Sequence, residues 1–155
     1  MKVLIIGGVA GGATAAARLR RLDETAEIII IERSGYVSYA NCGLPYYIGG
    51  AIEDPEELTL QTPESFYARF RVDMRVHHEV TAIHPEKKTV SVRNLETGEE
   101  FEESYDKLIL SPGARPVVPD LPGVDGDRLF TLRTVEDTFR IREFIDRQQP
   151  RSAVL

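Results

Sequence analysis

Cysteine is nearly absent from the chain: its 155 residues hold one, Cys42. A disulfide within the chain is therefore excluded. The sulfur can act as a thiolate, as a mixed disulfide with a small thiol, or in an oxidised form. Long apolar runs are missing too. None approaches the about 20 residues of a membrane-spanning helix. The start, Met1 to Gly8, is too short and glycine-broken for a secretory signal. Positive charge is outnumbered, with 19 Lys and Arg against 25 Asp and Glu and a net charge of −6. That balance argues against non-specific nucleic-acid binding and against an anionic membrane surface. Histidine is scarce. His77 and His78 are adjacent and would point to opposite faces of a strand, a poor metal pair, and with His84 they are expected at the surface. No metal site is expected. One cysteine and no signal point to a reducing cytoplasm.

With 42% hydrophobic residues, the chain has the composition and length of one globular domain with a sizeable core. Residues 2–6 read as a short, wholly apolar strand, the kind buried on both faces in a parallel sheet. The turn Gly7-Gly8-Val9-Ala10-Gly11-Gly12 follows. An alanine-rich helix is expected over 13–22, with arginines in its later turns, and a second apolar strand over 27–31 ends on Glu32. Strand, glycine turn, helix, strand and acid form the order of a dinucleotide-binding βαβ unit. Gly7 would allow the tight turn, Gly12 would allow close helix–strand packing, and the helix N-terminus would face a pyrophosphate. Glu32, 25 residues after Gly7, could accept from a ribose diol and would repel a 2′-phosphate, favouring FAD or NAD over NADP. The middle glycine of the G-x-G-x-x-G pattern is Val9. The alternative to a nucleotide site is an α/β packing turn without a ligand.

Further on, 53–57 reads as an acidic surface turn. Thr62-Pro63-Glu64 reads as a helix start, with Thr62 as N-cap and the helix running to about Phe70. Phe66, Tyr67 and Phe70 are expected in the core, and Arg69, Arg71 and Arg75 as a loose basic cluster. Strand signals return over 72–83, and alternation over 89–93 and 100–104 around a turn at 94–99 predicts a hairpin or meander. A third apolar strand over 107–110 runs into Ser111-Pro112-Gly113-Ala114, at the carboxyl edge of a parallel sheet where ligands bind. Residues 117–126 read as a linker, 129–131 as a short strand, 135–148 as an amphipathic helix ended by Pro150, and 151–155 as the first residues of another buried strand.

Cys42 lies in Ser38-Tyr39-Ala40-Asn41-Cys42-Gly43-Leu44-Pro45-Tyr46-Tyr47-Ile48-Gly49-Gly50. A free cysteine is most often a small buried hydrophobe. Here Ser38 and Asn41 add short polar groups, Gly43 and Pro45 constrain the backbone, and a helix opening at Leu44 could aim its N–H groups at the sulfur.

Together these stretches resemble the FAD- and pyridine-nucleotide-dependent disulfide reductases, in particular the coenzyme A disulfide reductase branch with its persulfide and polysulfide reductases. The resemblance is carried by 3–21 with Glu32, by 36–49 around Cys42, and by Gln61-Thr62-Pro63-Glu64-Ser65-Phe66. Residues 103–114 and Thr131-Leu132-Arg133 also match. Valine in place of the middle glycine is common in this branch. The second cysteine of the two-cysteine reductases falls on Tyr47, and the histidine of the related NADH peroxidases and oxidases falls on Ala10. The resemblance implies a Rossmann-like α/β FAD-binding domain over 1–116, with a parallel sheet, flanking helices and an antiparallel β-meander insertion, incomplete in this chain. A linker strand and helix over 117–150 would follow, then the start of an NAD(P)-binding domain at 151–155. It implies hydride transfer from NAD(P)H to FAD and reduction by Cys42, assisted by Ser38 and Asn41, of a coenzyme A disulfide, persulfide or polysulfide. FAD would be held by Gly7, Gly8, Val9, Ala10, Gly11, Gly12, Glu32, Arg33, Val80, Ser111, Gly113, Ala114 and Arg133. The thiol substrate would be held by Thr14, Arg18, Arg21, Ser38 and Asn41. A homodimer is expected of the full-length enzyme, and no turnover of this chain alone. Two other readings are a non-catalytic dinucleotide-binding redox sensor and an oxidase- or peroxidase-like enzyme using a Cys42 sulfenic acid. A short-chain dehydrogenase lacks support, since no Tyr-x-x-x-Lys pair occurs.

Overall fold

The structure, a computed structural model, describes residues 1–124 and 126–154. It forms two compact units: Met1–Tyr39 with Thr59–Gly113, and Ala40–Leu58 with Ala114–Leu155. The Cys42 segment thus belongs to the second unit, with the C-terminal helix.

The first unit is built on a parallel sheet of order β3-β2-β1-β7. Its strands are β1 (Lys2–Ile6), β2 (Glu27–Ile31), β3 (Asp73–Arg75) and β7 (Lys107–Leu110). The pairing runs Lys2↔Glu27 to Ile6↔Ile31 and Val3↔Lys107 to Ile6↔Leu110. Both faces are covered, which is why β1 and β2 are apolar without alternation. On one face Val3, Ile5, Ile28, Ile30 and Met74 pack with Ala13, Ala16 and Ala17 of helix α1 (Ala10–Leu22) and Phe66 of helix α3 (Pro63–Phe70). On the other, Leu4, Ile29 and Ile31 pack with Val90 and Val92 of an antiparallel meander. The meander comprises β4 (His78–His84), β5 (Thr89–Asn94) and β6 (Glu100–Ser104), with a bulge between Val80 and Ala82. Glu103 of β6 takes Lys2 Nζ of β1 at 2.6 Å and Arg75 Nη1 of β3, pinning the meander to the sheet.

The second unit carries the single turns Asn41–Gly43 and Pro55–Leu58, helix α2 (Leu44–Ile48) and helix α4 (Val135–Gln148). Helix α4 begins in a reciprocal cap between Thr134 and Asp137 and ends at Gln149, in the left-handed region. Tyr47 meets Phe139 edge-on at 5.7 Å, Arg142 Nη1 donates to Ile48 O at 3.4 Å, and Leu44, Leu58 and Val135 are buried.

Several expectations need correcting. Helix α1 starts at Ala10, three residues early, because Gly11 and Gly12 continue its first turn. Tyr67 is 59% exposed, on the outer side of α3, whereas Phe66 is buried and Phe70 packs on it at 4.7 Å. The basic cluster does not form: Arg75 is tied to Asp73 and Glu103, and Arg69 lies over the Phe70 ring. His77 leaves the strand with φ +55°, so it does not oppose His78 across a sheet. The three histidines are half-buried: His78 Nδ1 lies 2.6 Å from Val76 O, and His84 Nε2 lies 2.9 Å from Ser91 Oγ. Residues 129–131 and 151–154 form no strand, having no strand beside them to pair with among the described residues; Leu155 lies outside these. The linker at 117–126 is without regular helix or strand over its described residues, and Asp125 lies outside them.

Candidate functional site

In the first unit, the chain leaves β1 at Gly7 with φ +98°, a conformation that side chains rarely adopt. A Cβ there would lie 2.0 Å from Ser111 O. Gly7 N donates to Ile31 O and Ser111 N to Ile6 O, so the turns after β1, β2 and β7 are tied at one sheet edge. Gly12 is the tightest point: a Cβ would meet Gly7 O at 1.8 Å. Only a bare backbone lets α1 start this close to the strand that feeds it. Val9, the N-cap residue, makes no side-chain cap, and the first turn holds no acidic residue. The leading N–H groups of α1 are thus left to a ligand or water. Gly11 is exposed, with Ser111 Oγ 3.2 Å from the position of an added Cβ.

Glu32 follows β2. Its carboxylate is buried, at 9% exposure, and accepts from Gly8 N at 2.7 Å, Ser34 N at 2.8 Å and Ser34 Oγ at 2.9 Å. It is therefore anchored beside the glycine turn, where a ribose would follow a pyrophosphate. Glycines that could not bear a Cβ, an uncapped helix N-terminus and an anchored acid fit the diphosphate and ribose of a dinucleotide. Arg33 points outward and pairs with Glu79 at 3.6 Å. The Val80 side chain packs into the meander core.

Thr14, Arg18 and Arg21 are all exposed and spaced to share one face of α1. Neither Arg18 nor Arg21 has an ion-pair partner among the described residues. Arg20 behaves differently. Its guanidinium donates to Phe70 O, Asp23 O, Glu24 O and Arg71 O at 2.7–3.2 Å, capping the carbonyl end of α3. Ser38 has φ +49°. Its N–H donates to Gly8 O at 3.0 Å, and its C=O accepts from Leu60 N at 3.2 Å.

In the second unit, Cys42 is exposed in the Asn41–Gly43 turn directly ahead of α2. Gly43 is buried: a Cβ there would press on Leu58, Ala40 and Ile52 at 3.4–3.5 Å. Asn41 Oδ1 accepts from Arg133 Nη1 at 2.8 Å, and Arg133 Nε reaches Ala114 O at 3.3 Å. The structure therefore joins two residues that the sequence reading had put in different roles. The sites fall into two sets. Gly7, Gly8, Val9, Ala10, Gly11, Gly12, Thr14, Arg18, Arg21, Glu32, Arg33, Ser38, Val80, Ser111 and Gly113 lie in the first unit; Asn41, Cys42, Ala114 and Arg133 lie in the second. Ser34 was missed. Its signal was a short hydroxyl residue two positions after the acid and before a glycine, the pattern of a side chain folding back on its own turn. Among the described residues no group of histidines, cysteines and acids could hold a metal, and no helix is long and apolar enough to cross a membrane.

Comparison with known proteins bears on both units. Residues 1–154 match the pyridine nucleotide-disulphide oxidoreductase family. The chain is 50% identical over 148 residues to a coenzyme A disulfide reductase of Staphylococcus aureus (strain bovine RF122 / ET3-1), covering 96% of this chain and 33% of that protein. It overlays on reduced Bacillus anthracis CoADR-RHD with a TM-score of 0.94 and 54% identity, over 97% of this chain and 27% of that one. A NAD-dependent persulfide reductase from A. fulgidus gives 0.88 and 34%, over 95% and 28%. The chain spans about a third of the length of the curated relatives it matches. It belongs to the pyridine nucleotide-disulphide oxidoreductases, a family of enzymes whose cofactors are FAD and a nicotinamide nucleotide.

Proposed function

We propose that this chain is the part of a coenzyme A disulfide reductase that holds FAD and carries the redox sulfur, Cys42. The observation that carries the reading is the exposed, solitary Cys42 in a turn opening a helix, within a chain half identical to coenzyme A disulfide reductases. FAD, when bound, supplies a path for two electrons from a reduced nicotinamide to a disulfide. Gly7 to Gly12 with the α1 N-terminus take its diphosphate and Glu32 its ribose, with Arg33, Val80 main chain, Ser111, Gly113, Ala114 and Arg133 as further contacts. The Cys42 thiolate attacks one sulfur of coenzyme A disulfide; an S–S bond forms to Cys42, the original S–S bond breaks, and one coenzyme A leaves as thiolate. Two electrons then cleave the mixed disulfide, and the second coenzyme A leaves as Cys42 returns to thiolate. With no second cysteine in the chain, the small thiol itself is the resolving partner. Ser38 and Asn41 orient the substrate beside the sulfur. Thr14, Arg18 and Arg21 offer a hydroxyl and two guanidiniums without an ion pair among the described residues, on one helix face, suited to coenzyme A phosphates. A persulfide or polysulfide would react at the same thiolate by the same displacement. The full-length enzyme works as a homodimer, and this chain by itself does not turn over.

The test is Cys42→Ser in the full-length protein. Reduction of coenzyme A disulfide by NAD(P)H should fall at least about a thousandfold while the flavin spectrum is retained, because a serine hydroxyl cannot take part in thiol–disulfide exchange. An unchanged rate removes Cys42 from the reaction. Peroxide-dependent NAD(P)H oxidation by the wild type that Cys42→Ser abolishes, with no reduction of coenzyme A disulfide by either protein, would favour the sulfenic-acid reading.

A further inference from the structure

We infer that Ser34 is a positioning residue for the nucleotide: it holds the Glu32 carboxylate in the orientation that receives an adenosine ribose hydroxyl. This assignment rests on the dinucleotide reading above and adds a residue to it.

The two carboxylate oxygens of Glu32 are not equivalent. Oε1 accepts two donors, Ser34 N at 2.8 Å and Ser34 Oγ at 2.9 Å. Oε2 accepts one, Gly8 N at 2.7 Å. Each oxygen has two acceptor directions. Among the described residues, Oε1 is thus filled from within the chain, while Oε2, beside the glycine turn, keeps a direction for a ligand hydroxyl. Without Ser34 the carboxylate could rotate about its last bond and share its acceptor directions differently.

The Ser34 hydroxyl has one proton and two acceptors in reach, Glu32 Oε1 at 2.9 Å and Tyr36 O at 3.0 Å. The charged acceptor holds it more strongly. Tyr36 N in turn donates to the hydroxyl at 3.3 Å, completing its bonding. The backbone beneath is fixed independently. Glu32 N donates to Arg75 O at 2.9 Å, His78 N to Glu32 O at 3.0 Å and His77 N to Ser34 O at 3.1 Å. The His77 ring also closes on Gly35, where a Cβ would lie 2.8 Å from Cε1. Removing the hydroxyl leaves these backbone bonds in place and takes from Oε1 one of its two donors, and from Tyr36 N one acceptor; the carboxylate keeps Ser34 N and Gly8 N but loses the side-chain bond that fixes its rotation.

The experiment is reconstitution of the full-length protein, stripped of flavin, with FAD and with an FAD analogue whose adenosine ribose lacks both hydroxyls. The wild type should bind FAD about tenfold or more tightly than the analogue, the scale of one hydrogen bond to a charged group. Ser34→Ala should lose most of that preference, weakening FAD by about tenfold and the analogue hardly at all. Ser34→Thr, which keeps the hydroxyl, should restore the preference. If Ser34→Ala weakens both ligands equally, or neither, Ser34 supports the fold only and the assignment is overturned. If the wild type binds FAD but does not prefer it to the analogue, Glu32 is not the ribose acceptor and the assignment falls with it. If the wild type binds neither ligand, the dinucleotide reading itself has failed.

Discussion

Replacing Gly12 by alanine adds one methyl group at the point where helix and strand come closest. The new Cβ would lie 1.8 Å from Gly7 O and 3.1 Å from the Ile5 side chain. A carbon and a carbonyl oxygen tolerate no approach under about 3.0 Å, so the gap must open by more than 1 Å. Gly7 O is backbone and cannot rotate aside. Either α1 lifts from the sheet or the Gly7 turn distorts. Lifting α1 loosens Ala13, Ala16 and Ala17 from Val3, Ile5, Ile28 and Ile30, a packed face without slack. Overpacking of ordinary side chains costs about 1–3 kcal/mol. A clash with rigid backbone should reach the top of that range, about 3 kcal/mol, or a fall in Tm of roughly 6–12 °C for a chain of this size. The control is Gly11→Ala, one residue away. Its Cβ would face the Ser111 hydroxyl at 3.2 Å, a group that can turn, and alanine is the better helix former by about 1 kcal/mol. Thermal unfolding followed by circular dichroism should show Gly12→Ala strongly destabilised and Gly11→Ala within about 0.5 kcal/mol of the parent or slightly above it. Flavin titration should show FAD affinity lost in the first variant. Equal effects of the two substitutions, or a Gly12→Ala variant as stable as the parent, would refute the close-approach account.

Glu103→Gln should cost about 2 kcal/mol at neutral pH, between the values of exposed and buried ion pairs, since Glu103 is 12% exposed between Lys2 and Arg75. Burial alone would raise its carboxyl, but hydrogen bonds from Lys2 and Arg75 outweigh burial and hold it below the ordinary glutamate value. That stabilisation is therefore present above the unfolded value and lost as pH falls through the lowered folded one, so urea unfolding should show the parent and the variant converging as the pH drops below the ordinary glutamate range; a gap of constant size would contradict the account. The isolated chain, at about a third of the length of its relatives, should give no steady NAD(P)H oxidation with coenzyme A disulfide, and a sustained rate in a spectrophotometric assay would overturn that expectation.

The parts of the fold legible in the sequence are those encoded by local spacing. Gly7, Gly12 and Glu32 mark a βαβ unit because the turn, the close packing and the anchored acid each demand one residue type at one distance. The meander was legible because β5 and β6 alternate one buried face with one outward face. Features that depend on tertiary partners were not legible. Nothing local separates Arg20 from Arg18 and Arg21, yet two of its carbonyl partners, Phe70 O and Arg71 O, lie at the end of α3, some 50 residues away. His77 read as part of a strand, but its backbone turns left-handed to donate to Ser34 O and accept from Leu95 N. Leu129, Phe130 and Thr131 have the composition of a strand without a neighbouring strand to pair with among the described residues. At the site, Cys42 was conspicuous as the single cysteine, while the bond from Arg133 to Asn41 spans 92 positions and leaves no trace in spacing.

The chain enters and leaves the cysteine segment through one narrow gate. Ser38 C=O accepts from Leu60 N, Tyr39 pairs antiparallel with Thr59, and Ala40 N donates to Leu58 O. The segment is thus a cassette whose two ends are stapled together by main-chain bonds that any sequence can make. The register of β1, β2 and β7 is set by pairings outside this segment. Substitutions between residues 40 and 58 therefore leave the closure of the segment itself intact, because its bonds involve main-chain atoms alone.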